Sequence, residues 1–294
     1  MSITWKRDSG LTARMTLSFI ILGILYVVFL SILHYLGVGY IPLAFIAGAM
    51  IMAQWYFSDK IVLWTSGAKI VSKEEYPQLH NIVENLVNKN GIPKPKVAVV
   101  NSGVPNAFAT GKSPRSSLIA VTTGILGLLD DEELEAVIGH ELTHVRNRDV
   151  LVLTLASVFS TLAWYLAQFS FFGGYQSRNR DSGYATIIVI LVAIVTWVVS
   201  FLIIRAISRY REYSADRGGA IMTGRPDKLA DALMKISGKM NKIPPNELQK
   251  VQKLNAFFII PALSGSSIAN LFSTHPPVEK RVQKLKEMMT GVDR

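Results

Sequence analysis

The sequence predicts a mainly α-helical membrane protein that carries a small α+β domain, with about four transmembrane helices. Half of its 294 residues are hydrophobic and only 18% are charged, whereas soluble proteins carry about 25% charged residues. Four long apolar stretches concentrate this imbalance, and none of them contains Asp, Glu, Lys or Arg. The polar segments outside these stretches combine helical spacing with short strand patterns, which predicts the α+β part.

The four apolar stretches cover residues 15–36, 41–57, 150–172 and 185–204. A helix needs about 20 apolar residues to cross a bilayer, and one charge at the bilayer centre costs at least ~2.5 kcal/mol. The alternative is four buried helices of a soluble protein, but such helices normally keep a polar stripe. Only a few residues join the first two stretches, so we expect the membrane helices to form hairpins.

Basic residues near the ends of the spans predict how the protein is oriented. Lys and Arg accumulate on the cytoplasmic side of membrane proteins. The loop on one side of the predicted spans holds only Arg178 and Arg180, whereas the other side carries Lys6, Arg7, Arg14, Lys60, Lys69, Arg146, Arg148, Arg205, Arg209 and Arg211. An even number of spans then places both termini in the cytoplasm of a multi-pass protein of the cell membrane. The first stretch is too long for a cleavable signal peptide, and no small-residue cleavage site follows it.

This orientation divides the chain into four parts. Residues 1–57 form an N-terminal transmembrane hairpin, and residues 150–204 form a second one. Residues 58–149 form a cytoplasmic α+β part. Residues 205–294 form a cytoplasmic part with mainly helical, amphipathic patterns.

The charge and the cysteine content exclude two kinds of chemistry. The net charge of +10 is compatible with binding to nucleic acid or to an anionic membrane surface. The basic residues flank the apolar stretches and form no dense strip with interleaved aromatic residues, so we expect no nucleic-acid partner. Because the chain has no cysteine, protein ligands for a metal are limited to His, Asp and Glu.

The α+β part shows a clear order of predicted elements. A helix is predicted over residues 76–88, ended by the Asn90-Gly91 pair, and strands are predicted over 96–100 and 118–122. Between the strands, residues 105–111 are a candidate short strand bounded by turn residues. Asp130 or Asp131 then caps a further helix, whose first turn carries acidic residues that its dipole favours.

That capped helix carries the sequence His140-Glu141-Leu142-Thr143-His144. On a helix the two histidines lie one turn apart on one face, so both imidazoles can bind a single metal ion, and zinc favours such nitrogen ligands. Glu141 lies about 100° around the helix, where it can take a proton from water at the metal. Five-residue patterns of this kind also arise by chance, and the alternative is two surface histidines on an ordinary helix.

A third ligand must come from elsewhere in the chain. The extended motif of metzincins is excluded because Asn147 and Val150 replace its Gly and His. The remaining histidines are His34, His80 and His275, and the other candidate is Glu212 on the helix that leaves the fourth apolar stretch. Asp216, one turn later, can accept the free N–H of a ligating histidine. Spacing alone is equally compatible with Glu212 and Asp216 being a surface pair with Arg209 or Arg217.

At this point the chain resembles the HtpX family, the heat-shock-associated membrane zinc metallopeptidases of bacteria and archaea, which are related to the CAAX prenyl proteases. The resemblance covers nearly the whole chain and includes the hairpins, the zinc motif and the segments Asn106-Ala107-Phe108-Ala109, Glu212-Tyr213-Ser214-Ala215-Asp216-Arg217 and Ser273-Thr274-His275-Pro276-Pro277. It implies a gluzincin-type (zincin) catalytic domain in which Glu212 is the third zinc ligand and Asp216 supports a zinc histidine.

The resemblance implies two further roles. The segment Asn106, Ala107, Phe108 and Ala109 is expected to be an edge strand on which a substrate peptide lies extended, although an ordinary turn would fit the same residues. His275 precedes two prolines and is expected to stabilise the oxyanion of the tetrahedral intermediate. The alternative for His275 is a packing residue at the start of a helix.

Together these inferences predict a membrane endopeptidase that holds one Zn2+ through His140, His144 and Glu212, with Glu141 as general base. Its expected partners are the lipid bilayer and polypeptide substrates, and the resemblance implies that these substrates are misfolded or damaged membrane proteins. The alternatives are a prenyl-peptide protease, an intramembrane protease and a non-catalytic scaffold that retains a metal site. Four spans leave little wall for the chamber of a prenyl-peptide protease, and the intact Glu141 argues against a scaffold. The sequence leaves the oligomeric state open.

Overall fold

The computed structural model describes residues 9–35, 45, 48, 49, 52, 53, 55–171, 182–244 and 275–290. The helices in chain order are α1 (Ser9–Tyr35), α2 (Ser58–Ser66), α3 (Pro77–Asn90), α4 (Thr123–Leu126), α5 (Asp131–Asn147), α6 (Asp149–Phe171), α7 (Ser182–Thr223), α8 (Pro226–Met240) and α9 (Val278–Thr290). The strands are β1 (Lys69–Ile70), β2 (Lys96–Val100), β3 (Ala107–Gly111) and β4 (Ser117–Thr122). A mostly helical chain with a small sheet agrees with the predicted fold class.

The described residues fall into two compact units. The first, called the sheet unit below, contains residues 57–151, 208–244 and 275–290. The second, called the apolar unit, contains the described residues between 9 and 56 together with 152–171 and 182–207. Each unit is described separately.

The sheet unit is built on a mixed sheet with the strand order β1-β2-β4-β3. β2 and β4 run parallel, with Ala98 opposite Ala120. β3 pairs with β4 in antiparallel fashion and forms one edge of the sheet. The predicted strands 96–100 and 118–122 are therefore confirmed, and the candidate strand in 105–111 is observed from Ala107 onward.

Alternating side chains of the sheet supply two apolar layers, as expected when successive residues of a strand point to opposite faces. On one face Val97, Val99, Ile119 and Val121 join the main core, to which α3, α5, α8 and α9 contribute their buried sides. On the other face a smaller cluster contains Val62 of α2, Phe108 of β3, and Ala98, Val100, Leu118 and Ala120 of the sheet. Helix α5 is thus held in the core along most of its length.

Helix α5 begins and ends at well-defined residues. Asp130 is its N-cap, and the Asp130 and Glu133 side chains and backbone N–H groups exchange hydrogen bonds in a capping box, which satisfies two donors that a helix start leaves free. Of the two predicted N-cap residues, Asp130 and Asp131, the structure shows Asp130. The helix ends at Asn147, and its C-cap Arg148 has a left-handed backbone with φ 55° and ψ 44°. Helix α6 starts at the next residue.

Two helices in the described part are long and apolar enough to cross a membrane, and the apolar unit contains the first of them and the N-terminal part of the second. They are Ser9–Tyr35 and the segment Ile187–Thr223 of α7, which include the predicted stretches 15–36, up to Tyr35, and 185–204, from Ile187 on. Large apolar side chains on their outer surfaces are exposed, for example Val27 at 66% and Leu191 at 56%. Such exposure is unusual for the core helices of a soluble protein and suits contact with lipid.

The other two predicted spans stay predictions. The stretch 150–172 coincides with helix α6, but several of its side chains lie outside the described residues. Most of the stretch 41–57 also lies outside them. In the C-terminal part, α8 and α9 agree with the predicted helical pattern, and residues 245–274 between them lie outside the described part.

Within the apolar unit, apolar side chains pack the described helices together. Phe29 and Leu33 of α1 are buried against Ala163 of α6 and against Val189 and Ala193 of α7. The hydroxyl of Tyr26 donates to the carbonyl oxygen of Ala156 at 3.3 Å. A hydrogen bond of this kind between helices has few competitors in a lipid environment.

Candidate metal centre

His140 and His144 lie on one face of α5, four residues apart, and their rings converge. The two Nε2 atoms are 3.1 Å apart, and the rings meet edge-on with centroids 4.7 Å apart. The His140 side chain is buried at 1% exposure, whereas that of His144 remains 18% exposed. The site is therefore closed to solvent on the side of His140 and open to solvent on the side of His144.

Glu212 of α7 completes the cluster. Its carboxylate oxygens lie 3.7 Å from Nε2 of His140 and 3.5 Å from Nε2 of His144. The ligand atoms of these three residues lie within 4.8 Å of one another, so the group could hold a metal ion. Metal–nitrogen bonds of about 2.0–2.1 Å in a tetrahedral site would separate two ligand atoms by about 3.3 Å. The observed separations fit a single first-row metal ion.

A close approach of two backbones brings Glu212 to the histidines. Helices α5 and α7 meet at Gly139 and Gly219. A Cβ atom added to Gly219 would lie 2.7 Å from the backbone nitrogen of His140 and 2.9 Å from its Cα. Only glycine fits at this position. The contact fixes where α7 lies along α5, next to the two histidines.

Each histidine has its own carboxylate behind it. Nδ1 of His140 lies 2.9 Å from Oδ1 of Asp216, and Nδ1 of His144 lies 2.5 Å from Oδ2 of Asp149. These partners favour the tautomer with Nδ1 protonated, which leaves a lone pair on each Nε2. Two lone pairs facing each other beside the Glu212 carboxylate repel unless a cation lies between them. Metal histidines in proteins are oriented in this same way.

Each of these carboxylates is in turn paired with a buried arginine. Arg281 of α9 donates to Asp216 from Nε at 2.8 Å and from Nη2 at 2.6 Å, and it is fully buried. Arg211 forms an ion pair with Asp149. When Glu141 is ionised, the buried carboxylates of Glu141, Asp149, Glu212 and Asp216 exceed the two guanidinium groups by two negative charges. A divalent cation would neutralise this excess.

Burial tunes the titration of the groups on α5. It lowers the pKa of His144 to about 4 and also lowers the pKa of His140, so both imidazoles are neutral and able to bind a metal at neutral pH. Burial, followed by the nearby Glu212 carboxylate, raises the pKa of Glu141 well above its usual range. A carboxyl group with a raised pKa is a better proton acceptor once it is ionised.

Glu141 faces β3 instead of joining the three ligands. Its carboxylate accepts a hydrogen bond from the backbone N–H of Ala109. The neighbouring groove is lined by residues of β3, of the turn after it, of the start of β4 and of the end of α5, among them Thr110, Lys112, Ser117, His144 and Val145. The predicted base, the edge strand and the open side of His144 therefore share one location.

The backbone of β3 offers hydrogen-bonding groups at the edge of the sheet. The N–H of Thr122 donates to the carbonyl oxygen of Asn106 at 2.9 Å. Because hydrogen-bonded pairs alternate along an antiparallel ladder, this bond and the register of β3 direct the backbone groups of Ala107, Ala109 and Gly111 away from β4. Phe108 points into the smaller apolar cluster, so it contributes packing there.

The other histidines differ in their placement. His275 lies at the cluster, with Nδ1 2.9 Å from Oε2 of Glu212. His80 of α3 instead bonds to the carbonyl oxygen of Val71 through Nε2 at 3.1 Å. His34 is on the last turn of α1, in the apolar unit. Among the described residues, neither His80 nor His34 belongs to the group that could hold a metal.

Sequence reasoning missed Asp149, Arg211, Arg281 and the glycine contact. Of these, Arg281 could have been found from the sequence pattern. Val278, Val282 and Leu285 form the buried face of α9, and Arg281 lies on that same face. An arginine on an apolar helix face requires a buried acidic partner, so this position was detectable. Arg211 and Asp149 instead look like ordinary charges that flank apolar stretches.

Comparison with known proteins places these features in a family. The model of peptidase family M48 matches residues 73–289. Protease HtpX homolog 2 of Methanosarcina acetivorans is 53% identical over 289 residues, which cover 98% of each chain. Protease HtpX homolog of Moorella thermoacetica is 51% identical over 284 residues, which cover 96% of this chain and 95% of that protein.

The fold has a counterpart among solved structures. The crystal structure of Ste24p from S. mikatae superposes with a TM-score of 0.56 at 19% identity, and the match covers 92% of this chain and 64% of that chain. At this identity the likeness concerns the fold. The family match over most of the chain and the high identity of full-length relatives carry the assignment: the chain belongs to peptidase family M48, as a membrane metalloprotease of the HtpX group.

Proposed function

We propose that the metal is one zinc ion, held by Nε2 of His140, Nε2 of His144 and the carboxylate of Glu212, and that the protein hydrolyses internal peptide bonds at this centre. The observation that supports this most directly is the convergence of three ligand atoms at 3.1–3.7 Å. Imidazole and carboxylate ligands in a compact site suit zinc among the common divalent ions.

The protein's own residues account for the proton transfers. When bound, zinc supplies a Lewis acid that polarises the scissile carbonyl and acidifies water. Glu141 accepts the proton of the attacking water and delivers it to the departing amine. The hydrogen bond from Ala109 to its carboxylate keeps the base between the ligands and the edge strand, where both the water and the amine must lie.

The substrate is proposed to lie extended along β3. Strand addition binds a peptide through its backbone and demands little of its sequence. The outward backbone groups of Ala107 and Gly111 and the carbonyl oxygen of Ala109 can pair with such a peptide, which would then lie next to the groove beside His144. Asn106 fixes the start of this edge, because its carbonyl oxygen bonds to β4. Recognition of this type suits unfolded segments of damaged membrane proteins in quality control.

His275 is proposed to stabilise the oxyanion that forms on the scissile carbonyl. Its Nδ1 lies 2.9 Å from Glu212, which places the ring at the ligand cluster. An imidazole N–H at such a place can donate to a developing negative charge. Its partner in the described structure is Glu212, so the role requires the ring to exchange that contact for the substrate.

Removal of the metal tests the proposed reaction. Purified protein in detergent is expected to degrade unfolded casein, to lose this activity with a zinc chelator, and to regain it when zinc is added back. A non-chelating isomer of the chelator is the control, and it should have no effect. Casein cleavage that survives complete metal removal would contradict the proposal, whereas one zinc per chain without any cleavage would favour a scaffold.

We further propose that the protein crosses the cell membrane four times, with the sheet unit and both termini in the cytoplasm. Because the chain has no cysteine, single cysteines introduced at Asp231 and at Ser177 can be labelled without background. A membrane-impermeant thiol reagent added to intact cells should label the variant at Ser177, in the predicted external loop. It should label the variant at Asp231, an exposed residue of α8, only after permeabilisation. The reverse pattern would show that the orientation is wrong.

A further inference from the structure

The side chain of Asp149 connects His144 to a second buried charge. Its Oδ2 lies 2.5 Å from Nδ1 of His144, its Oδ1 side is paired with Arg211, and the residue is only 5% exposed. Asp149 reaches His144 because Arg148 adopts the left-handed conformation that ends α5. Arginine has a Cβ atom and adopts this conformation at some energetic cost, so the surrounding structure holds this turn in place.

The buried guanidinium group of Arg211 is paired with Asp149 in the described structure. The Arg211 side chain is only 4% exposed. Burying a charge without a partner costs roughly several kcal/mol. Arg211 is also the residue directly before Glu212 in α7. The pair with Asp149 therefore links the support of one ligand, His144, to the backbone that carries another ligand, Glu212.

The arrangement has a counterpart behind the other histidine. His140 is followed by Asp216 and then by the fully buried Arg281. His144 is followed by Asp149 and then by Arg211. In both series of side chains, a neutral imidazole is followed by a carboxylate and then by a guanidinium group. The sequence motifs accounted for Asp216 only.

We propose that Asp149 and Arg211 are positioning residues for the metal centre: Asp149 fixes the tautomer and the ring orientation of His144, and Arg211 holds Asp149 in place beside Glu212. This inference rests on the proposed ligand set. Partners of this kind typically change metal affinity or activity by roughly 10–100-fold when they are removed.

The test measures metal affinity in the purified full-length protein. Zinc affinity is obtained by competition with a chromophoric chelator, and the visible absorption spectrum of the cobalt-substituted protein reports the ligand geometry. Asp149→Ala is expected to weaken zinc binding by roughly 10–100-fold and to change the cobalt spectrum. Asp149→Asn keeps the size and one acceptor oxygen, so it should weaken binding less. Asp231→Ala, an exposed aspartate on α8, is the matched control and should leave both readouts unchanged.

A double-mutant comparison separates positioning from general stability. Arg211→Gln alone is expected to weaken zinc binding because Asp149 loses its anchor. In the Asp149→Asn background the same change should have little further effect, since residues that act through one another are not additive. Should Asp149→Ala fail to fold, Asp149→Asn and Arg211→Gln decide the question on the folded protein.

Two outcomes would overturn this inference. One is zinc affinity within about twofold of wild type for both Asp149 variants, and the other is a fully additive effect of Arg211→Gln. A third variant, His144→Ala, tests the proposed ligand set independently of the positioning role. If His144→Ala loses zinc and Asp149→Ala does not, the ligand set stands and only the positioning role fails. If His144→Ala keeps wild-type affinity, the ligand set itself is wrong.

Discussion

Replacing Glu141 with glutamine is expected to lower casein hydrolysis by roughly 10²–10⁴-fold, the range that general acid–base catalysis contributes, while the metal stays bound. Glutamine has nearly the same shape but cannot accept a proton, so the attacking water loses its base. The metal should remain because Glu141 faces Ala109 of β3 and does not belong to the ligand group. The measurements are the initial rate of cleavage and the zinc content of the same preparation.

The matched control for this variant is Glu135→Gln. Glu135 lies on the same helix and is half-buried, but it belongs to no part of the described site. It should cleave casein at the wild-type rate. A Glu141→Gln protein that also cleaved at the wild-type rate would show that another group is the base.

Gly219→Ala is expected to disrupt the metal centre although Gly219 provides no ligand. The added Cβ would lie 2.7 Å from the backbone nitrogen of His140, and backbone atoms cannot rotate away as a flexible side chain can. Helices α5 and α7 must separate, at a cost of at least about 1–3 kcal/mol for an overpacked core. The same separation moves Glu212 away from the histidines, so zinc affinity should fall together with thermal stability.

Gly238→Ala makes the same chemical change where there is room. Gly238 lies in α8, and an added Cβ would meet nothing within 4 Å. Here alanine should raise stability by about 0.4–1 kcal/mol, because it reduces the conformational freedom of the unfolded chain. Thermal unfolding and zinc titration of both variants compare the two sites. Equal, small effects on both would mean that the helices do not meet at Gly219 as described.

The local features of the site were predictable because local rules decide them. The start of α5 follows from the capping pattern of Asp130 and Glu133, and the pairing of His140 with His144 follows from helical spacing. The end of α3 follows from Gly91, whose φ of 63° is the left-handed cap that its sequence indicates. Each of these depends on residues less than two helical turns apart.

The missing features depend on juxtapositions that sequence spacing does not encode. Asp216 and Arg281 are 65 residues apart, and the contact between Gly219 and His140 joins two helices from different parts of the chain. Asp149 is close to His144 in sequence, but it faces the ring only because Arg148 adopts a left-handed backbone. Nothing in an arginine indicates that conformation. The role of Glu212 came from family resemblance, since its spacing alone fitted an ordinary surface pair.

Zinc binding by a Glu212→Gln variant tests the ligand set most directly, because glutamine conserves the packing of the side chain and removes the charged ligand. The wild-type protein should hold one zinc ion per chain after dialysis, and Glu141→Gln should do the same. Glu212→Gln, folded to the same extent by circular dichroism, should retain well below one. A folded Glu212→Gln protein that kept one zinc ion at wild-type affinity would contradict a centre built from His140, His144 and Glu212.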